Sequence, residues 1–371
     1  MERSRLRLDM ECVYLYRTDV EGTTAPFERY REFAREALQR LELPLPETGT
    51  ILLNPNITVP AAPDSRIITH PGFIAGLVDA LLEQGADQDQ LLVGEGYGHK
   101  KRGHWAQLSG YTQGLGRVGL ELIDLDLAGG VEVAIPGGVV FPQLTFARQA
   151  TECAFYLNVP VAKCHNLSLT TLAMKNTQGT ILSPQRHMCA QQTEDEPFAD
   201  QAHDITERGI SLHEERFCHK QSDKTVARLQ LGIPQLSVVD GLIGRDGTGF
   251  NHGDNRPLGW TIMGASEVLV DVVGTYLMGI DPQATPYLQV AAERGLGTTR
   301  IEDIDVVDLT VGDRLDAASL RQLRAQPPLM PMSTVKGKHM PRFRPDGSLV
   351  PWQLDRINKH RQEQKLEPIA A

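Results

Sequence analysis

Val159-Pro160-Val161-Ala162-Lys163-Cys164-His165-Asn166-Leu167-Ser168-Leu169-Thr170-Thr171-Leu172-Ala173-Met174-Lys175-Asn176-Thr177-Gln178-Gly179 is the stretch that decides how this chain is read. An apolar run from Cys153 to Ala162 predicts a buried strand, and it ends in Lys163-Cys164-His165. A second lysine, Lys175, follows inside Leu172-Ala173-Met174-Lys175-Asn176. Ammonium and imidazole groups beside core-forming residues cost several kcal/mol unless they are paired, neutralised or bound to a ligand. Residues two apart in extended backbone face the same side, so Lys163 and His165 share a face and Cys164 packs on the other. At the C-terminal end of a central parallel strand, Lys163 and His165 would stand where open α/β sheets bind ligands.

Outward from this stretch the chain alternates strands and helices. Residues 25–41 predict an amphipathic helix, Thr50 to Leu53 a strand stopped at Asn54-Pro55-Asn56, and Thr69 to Gln84 a helix with Thr69 as its N-cap. Strands follow at Gln90–Val93, Leu120–Asp126 and Leu236–Asp240, a hairpin or loop at 129–138, and an apolar helix at Ser266–Met278. Strand, helix, strand in this order predicts an α/β fold with a mainly parallel sheet and flanking helices, in two lobes around a crevice. The domain reading is an N-terminal segment 1–47, an α/β core 48–323 with a polar excursion at 183–225, and a polar C-terminal tail 324–371.

Composition narrows the class. The chain has 371 residues, 41% hydrophobic and 23% charged, which is ordinary for a globular protein. Its net charge of −10 argues against nucleic acid as the partner. The five cysteines are odd in number, widely spaced and without a C-x-x-C pair. That fits free thiols in a reducing compartment and provides no iron–sulfur cluster motif. Neither a signal peptide nor a run of about 20 apolar residues is visible, so a cytoplasmic protein without a membrane partner is expected.

Five blocks in order resemble the family catalogued as domain of unknown function 362. They are Leu52–Asn56, Leu91–Gly96, Val159–His165 with Thr171–Asn176, Val238–Gly244, and Ala265–Asp271 with Tyr276–Asp281, over roughly residues 48–308. Many members of that family look redox-associated through an added ferredoxin-like cluster domain; this sequence has no such cysteines, so that role is not expected of it. The family often has Lys-Pro-Asn where Asn54-Pro55-Asn56 stands, and Lys-Thr-His where Cys164 lies between Lys163 and His165. These departures imply a specialised reaction. The order of blocks is also distantly similar to the lactate racemase family, where a Gly-His segment and a lysine-bearing loop surround a nickel pincer cofactor. Gly98-His99 and Lys163 to Lys175 occupy comparable places.

The candidate catalytic residues are therefore His165, Lys163 and Lys175, with Lys100, Thr171, Asn176 and Asn56 as substrate-binding residues. Cations there suit a carboxylate or phosphate, and a histidine suits proton transfer or metal ligation. A divalent metal would be held by His165 and His99 with Asp246, His252 and Asp254 from a glycine-rich loop. Glu95 and the glycines at 94, 96 and 98 could bring backbone N–H groups to an anion, or form a solvated turn. Glu267 and Asp271, four apart on an apolar helix, could hold Lys163 or Lys175, or form an exposed acidic face. His187, Cys189, His203, His213, Cys218 and His219 follow no standard zinc spacing.

The favoured reading is an enzyme acting on a small anionic metabolite by metal-assisted redox chemistry, with iron the preferred divalent transition metal. A metal- or cofactor-dependent isomerase or racemase, working by proton or hydride transfer, is the first alternative. A non-enzymatic cofactor-binding or redox accessory protein, with a ferredoxin-type partner, is the second.

Overall fold

The structure, a computed structural model, describes residues 5–96, 104–189 and 204–371. The fold is mixed α/β, built on one twelve-stranded sheet with flanking helices. Its strands are β1 (Val13–Arg17), β2 (Ile51–Pro55), β3 (Leu91–Glu95), β4 (Leu122–Asp124), β5 (Phe155–Val159) and β6 (Val161–His165). They continue with β7 (Leu169–Thr171), β8 (Gln235–Val238), β9 (Asp240–Arg245), β10 (Asn255–Gly264), β11 (Val306–Asp308) and β12 (Asp313–Leu315). The hydrogen-bonded order is β7-β6-β9-β10-β8-β5-β2-β3-β4, with β1 beside β10 and β11, and β12 beside β11. Strands β4, β3, β2, β5 and β8 run parallel, as do β6 and β9. Antiparallel β10 and β7 complete that half.

The long apolar run read from sequence as one strand is two. Pro160 has no N–H to give the ladder, and the chain kinks there. The neighbouring strand breaks at the same level, between β8 and β9, where Asp240 N–H bonds the Pro160 carbonyl at 2.8 Å. The kink matters for the site. Strand β2 pairs with β5 only as far as Pro55 opposite Val159. Beyond it, antiparallel β7 pairs with β6, Thr171 opposite Lys163. A crevice opens where one neighbour leaves and the other begins.

Alternate strand residues enter two different cores. Tyr14, Tyr16, Ile51, Leu53, Leu157 and Val159 pack with helices α1 (Phe27–Gln39) and α2 (Pro71–Glu83). Val13, Leu15, Ala162, Cys164 and Ile262 pack on the other face, against α5 (Glu267–Leu277). The predicted burial of Cys164 away from Lys163 and His165 is what the pleat delivers. Helices α1 and α2 approach closely because Gly76 has no side chain: a Cβ there would lie 2.0 Å from the Arg31 carbonyl oxygen. The N-cap of α2 is His70, whose Nδ1 accepts the Gly72 N–H at 3.0 Å. Thr69, the sequence-based choice, bonds the Val159 carbonyl instead.

Three further segments gain definition. The glycine-rich 129–138 piece is the first arm of a hairpin, Gly130–Ala134 against Gln143–Ala147. Within the 183–225 excursion lies much of α4 (Leu212–Gln230), a helix capped by a reciprocal Ser211–Glu214 box. It buries Lys220, Gln221, Asp223, Lys224 and Arg228, so it is a polar wall inside the molecule. The polar C-terminal segment buries Arg342, Val350 and Leu354.

Candidate functional site

A cavity of about 650 Å³ lies at the C-terminal ends of β2, β3 and β6. Asn56 enters it from beyond β2, Glu95 and Gly96 from the end of β3, and His165 from the end of β6. Lys175 and Asn176 come from α3 (Ala173–Asn176). Four of the sequence-predicted residues, Asn56, His165, Lys175 and Asn176, are thus brought together, at the sheet position where ligands bind in this architecture. Lys100 and His99 lie outside the described residues.

Glu95 is the acid of the cavity. Its side chain is buried, and Oε2 accepts the Asn54 amide at 2.9 Å, which Tyr156 fixes by its hydroxyl at 3.0 Å. Burial pushes the Glu95 carboxyl up to about 8, against the lowering pull of Arg186, the Asn54 amide and the Gly96 N–H. Glycine at 179 makes room for it: a Cβ there would lie 2.2 Å from Glu95 Oε1. Arg186 does not neutralise Glu95 by direct pairing, since it forms a buried two-pronged pair with Asp126, one arm at 2.8 Å.

His165 is held in one tautomer. Its Nδ1 accepts the backbone N–H groups of Leu167 at 3.1 Å and Ser168 at 3.3 Å. Burial, then the cations Lys175, Lys163 and Arg342, hold its pKa well below the ordinary imidazole value. A neutral ring whose Nδ1 is an acceptor carries its proton on Nε2. His165 therefore presents a neutral N–H donor, and metal ligation through Nε2 would require that proton to leave.

Lys163 stands one layer behind the cavity. Its Nζ donates to Asn56 Oδ1 at 2.9 Å and to the Ile67 carbonyl, and lies 5.2 Å from the centre of the Phe250 ring. Burial, followed by repulsion from Lys175, Arg245 and Arg66, drives its pKa well below the usual lysine value. It positions Asn56, whose Nδ2 is tied to Thr58 Oγ1 at 3.1 Å. Thr171 is its buried cross-strand partner and is likewise not among the cavity-lining residues. The sequence placed Lys163 and His165 on one side correctly; the end of β6 puts only His165 in the wall.

Helix α3 is too short to be stable alone. Asp271 fixes it: its Oδ1 accepts Ala173 N–H at 2.6 Å and its Oδ2 accepts Met174 N–H at 3.2 Å and the Tyr287 hydroxyl at 3.1 Å. Glu267 accepts Asn158 Nδ2 at 3.1 Å and the Thr177 hydroxyl. Both acids are buried, so the exposed-face alternative is excluded, and they hold the segment bearing Lys175 by its backbone and hydroxyls. Lys175 itself has no hydrogen-bond or carboxylate partner among the described residues; its Nζ lies 5.9 Å from the Phe217 ring centre. Asn176 donates to the Asn54 carbonyl at 2.9 Å and Asn158 Oδ1 at 2.8 Å, while its buried Oδ1 accepts nothing among the described residues.

The described members of the metal set read from sequence are dispersed. Asp246, His252 and Asp254 lie in the turn between β9 and β10, and none is among the cavity-lining residues. Asp246 accepts Asp254 N–H at 2.6 Å and pairs with Arg256 at 3.3 Å, and His252 lies against His339 with ring centres 3.6 Å apart. Among the described residues no three His, Cys, Asp or Glu side chains are grouped to hold a metal. Within the histidine- and cysteine-bearing segment, His187 and Cys189 line the cavity, Cys218 is in the core and His219 is half-buried beside Glu215. His203 lies outside the described residues.

Sequence reasoning did not find Arg186, Phe250, Trp352 or Arg342. Phe250 meets the His165 ring edge-on at 5.6 Å. Trp352 stacks on His213 at 5.3 Å, and its backbone N–H donates to Glu214 Oε2 at 3.0 Å. Arg342 reaches the Asn166 and Leu167 carbonyls and pairs with Glu214 at 2.5 Å, clamping the turn that fixes His165. The one available signal was an arginine and a tryptophan close together in a segment otherwise read as tail.

Among the described residues no helix is long and apolar enough to cross a membrane. The chain is similar to the "Thylakoid-associated protein sll1697" of Synechocystis sp., at 24% identity over 255 residues, 68% of this chain and 70% of the relative. Residues 51–276, which hold Asn56, Glu95, His165, Lys175 and Asn176, match the family described as "Domain of unknown function (DUF362)". With more than half of its length inside that match, the chain belongs to the DUF362 family.

Proposed function

We propose that the cavity binds a small carboxylate and moves a proton at the carbon beside it. The observation that carries this is the company Lys175 keeps: an ammonium without a carboxylate partner among the described residues, in a cavity whose acid is held protonated at neutral pH and whose histidine is neutral. Such a cavity has a positive charge to offer an anion. Lys175 is the counter-ion, Asn176 Oδ1 accepts a hydroxyl or amino hydrogen of the ligand, and His165 Nε2–H donates to a carboxylate oxygen.

Glu95, with its carboxyl near 8, is the group suited to take and return a proton near neutrality. In its ionised form it removes the proton from the carbon next to the carboxylate. The electron pair of that C–H bond becomes the enediolate, whose charge Lys175 and His165 share, and the proton on Glu95 returns to the same carbon. No outside oxidant or reductant is needed. Proton transfer ranks above the metal-assisted reading because, among the described residues proposed for a metal, Asp246, His252 and Asp254 do not line the cavity with His165.

The test is deuterium exchange. Lactate and mandelate incubated with the protein in D2O should exchange the hydrogen at C2, at a rate that climbs with pH through a midpoint near 8. Glu95→Gln should abolish exchange and retain binding. Exchange that survives Glu95→Gln unchanged, or carboxylates that fail to bind at all, would overturn the reading.

A further inference from the structure

The cavity has a mixed lining. Glu95, Lys175, Asn176, Gln178 and Arg186 are among its charged and amide groups, whereas Val59, Pro60, Phe250 and Trp352 contribute apolar surface. The two aromatic rings are fixed before any ligand arrives, Phe250 against His165 and Trp352 on His213. At about 650 Å³ the volume falls in the range, about 300–1,000 Å³, that takes drug-sized ligands, and a three-carbon acid would leave most of it empty. Trp352 also lies beyond residues 51–276, so this part of the wall comes from outside the family-matched region.

Building on the carboxylate reading above, we infer that the natural ligand carries a flat apolar body behind its carboxylate, and that Trp352 is the residue selecting it. The carboxylate meets Lys175 and the body packs on the Trp352 and Phe250 rings. Aromatic rings gain from packing on rings that are already held in place, because little side-chain freedom is lost on binding.

Mandelate and lactate share a 2-hydroxycarboxylate head and differ in phenyl against methyl; hexahydromandelate has a ring that is not flat. By calorimetry at neutral pH, mandelate should bind at least about tenfold more tightly than lactate, with hexahydromandelate between them. Trp352→Leu should shrink the mandelate preference to within about threefold, and Trp352→Phe should keep most of it. Thermal unfolding of both variants checks the fold; if Trp352→Leu does not fold, the order of the three ligands on the unmodified protein decides. Lactate and mandelate binding equally would overturn the inference and leave the carboxylate reading standing. A preference that persists in folded Trp352→Leu would overturn the role of Trp352. Failure of all three ligands would instead overturn the carboxylate reading on which the inference rests.

Discussion

Two sets of ionisable groups, one under α1 and α2 and one at the cavity, are finished to different degrees. Under α1 and α2, Arg66 and Asp240 are sealed together at 2.6 Å with no exposed surface. Arg66 also reaches the Ile243 carbonyl and lies 4.8 Å from the Tyr30 ring centre, and Asp240 also accepts the His70 N–H. At the cavity, Lys175 has no carboxylate partner among the described residues, Glu95 is kept neutral by burial, and Asn176 keeps an open acceptor. The difference lies in the opposite charge, since Arg66 Nη1 and Asp240 Oδ1 also have no hydrogen-bond partner among the described residues. A charge that serves the fold is met by a counter-charge of the fold's own, and one that serves a ligand is left for the ligand to meet.

Breaking the sealed pair should have the largest effect. Asp240→Asn leaves Arg66 charged in the core and should cost about 3–5 kcal/mol by chemical denaturation. A loss below about 1 kcal/mol would show that the pair is not closed as described.

Glu95→Gln should have an effect of comparable order across its full range, but one that depends on pH. The folded carboxyl titrates at about 8, above its ordinary 4.5, so the native state holds a proton that the unfolded chain releases between those values. Stability tied to Glu95 is full at low pH and is lost as pH rises through this window. The unmodified protein should lose stability relative to Glu95→Gln by at most about 1.4 kcal/mol per pH unit there, and no further above it. Parallel stability curves would refute the protonated carboxyl.

The smallest effect on the fold should come from Lys175→Met. With no partner to lose among the described residues, unfolding free energy should change by no more than about 0.5 kcal/mol. A cost of several kcal/mol would place Lys175 with the structural charges.

Much of this contrast was legible in the sequence at the level of single elements. The alternation around Lys163-Cys164-His165 told which side each faces, and Pro55 and the apolar run marked strand ends. What was not legible rests on distant partners. Lys163 serves Asn56, 107 positions away, and Arg342 grips Asn166, 176 positions away. Local pattern contains neither pairing, so Lys163 read as catalytic and the start of the C-terminal segment as tail. Asp246, His252 and Asp254 read as ligands because acids and histidines in a glycine loop have two uses, and here Asp246 closes the turn on Asp254 N–H. Glu95 was visible as an acid at a strand end, but its protonation depends on burial by Gly179 and neighbours that the local sequence does not show.

The most direct test of the central claim is a calorimetric titration of mandelate into the unmodified protein and into Lys175→Met at neutral pH. Affinity should be at least about tenfold weaker in the variant, with its unfolding unchanged. Equal affinity in the two proteins would contradict that claim.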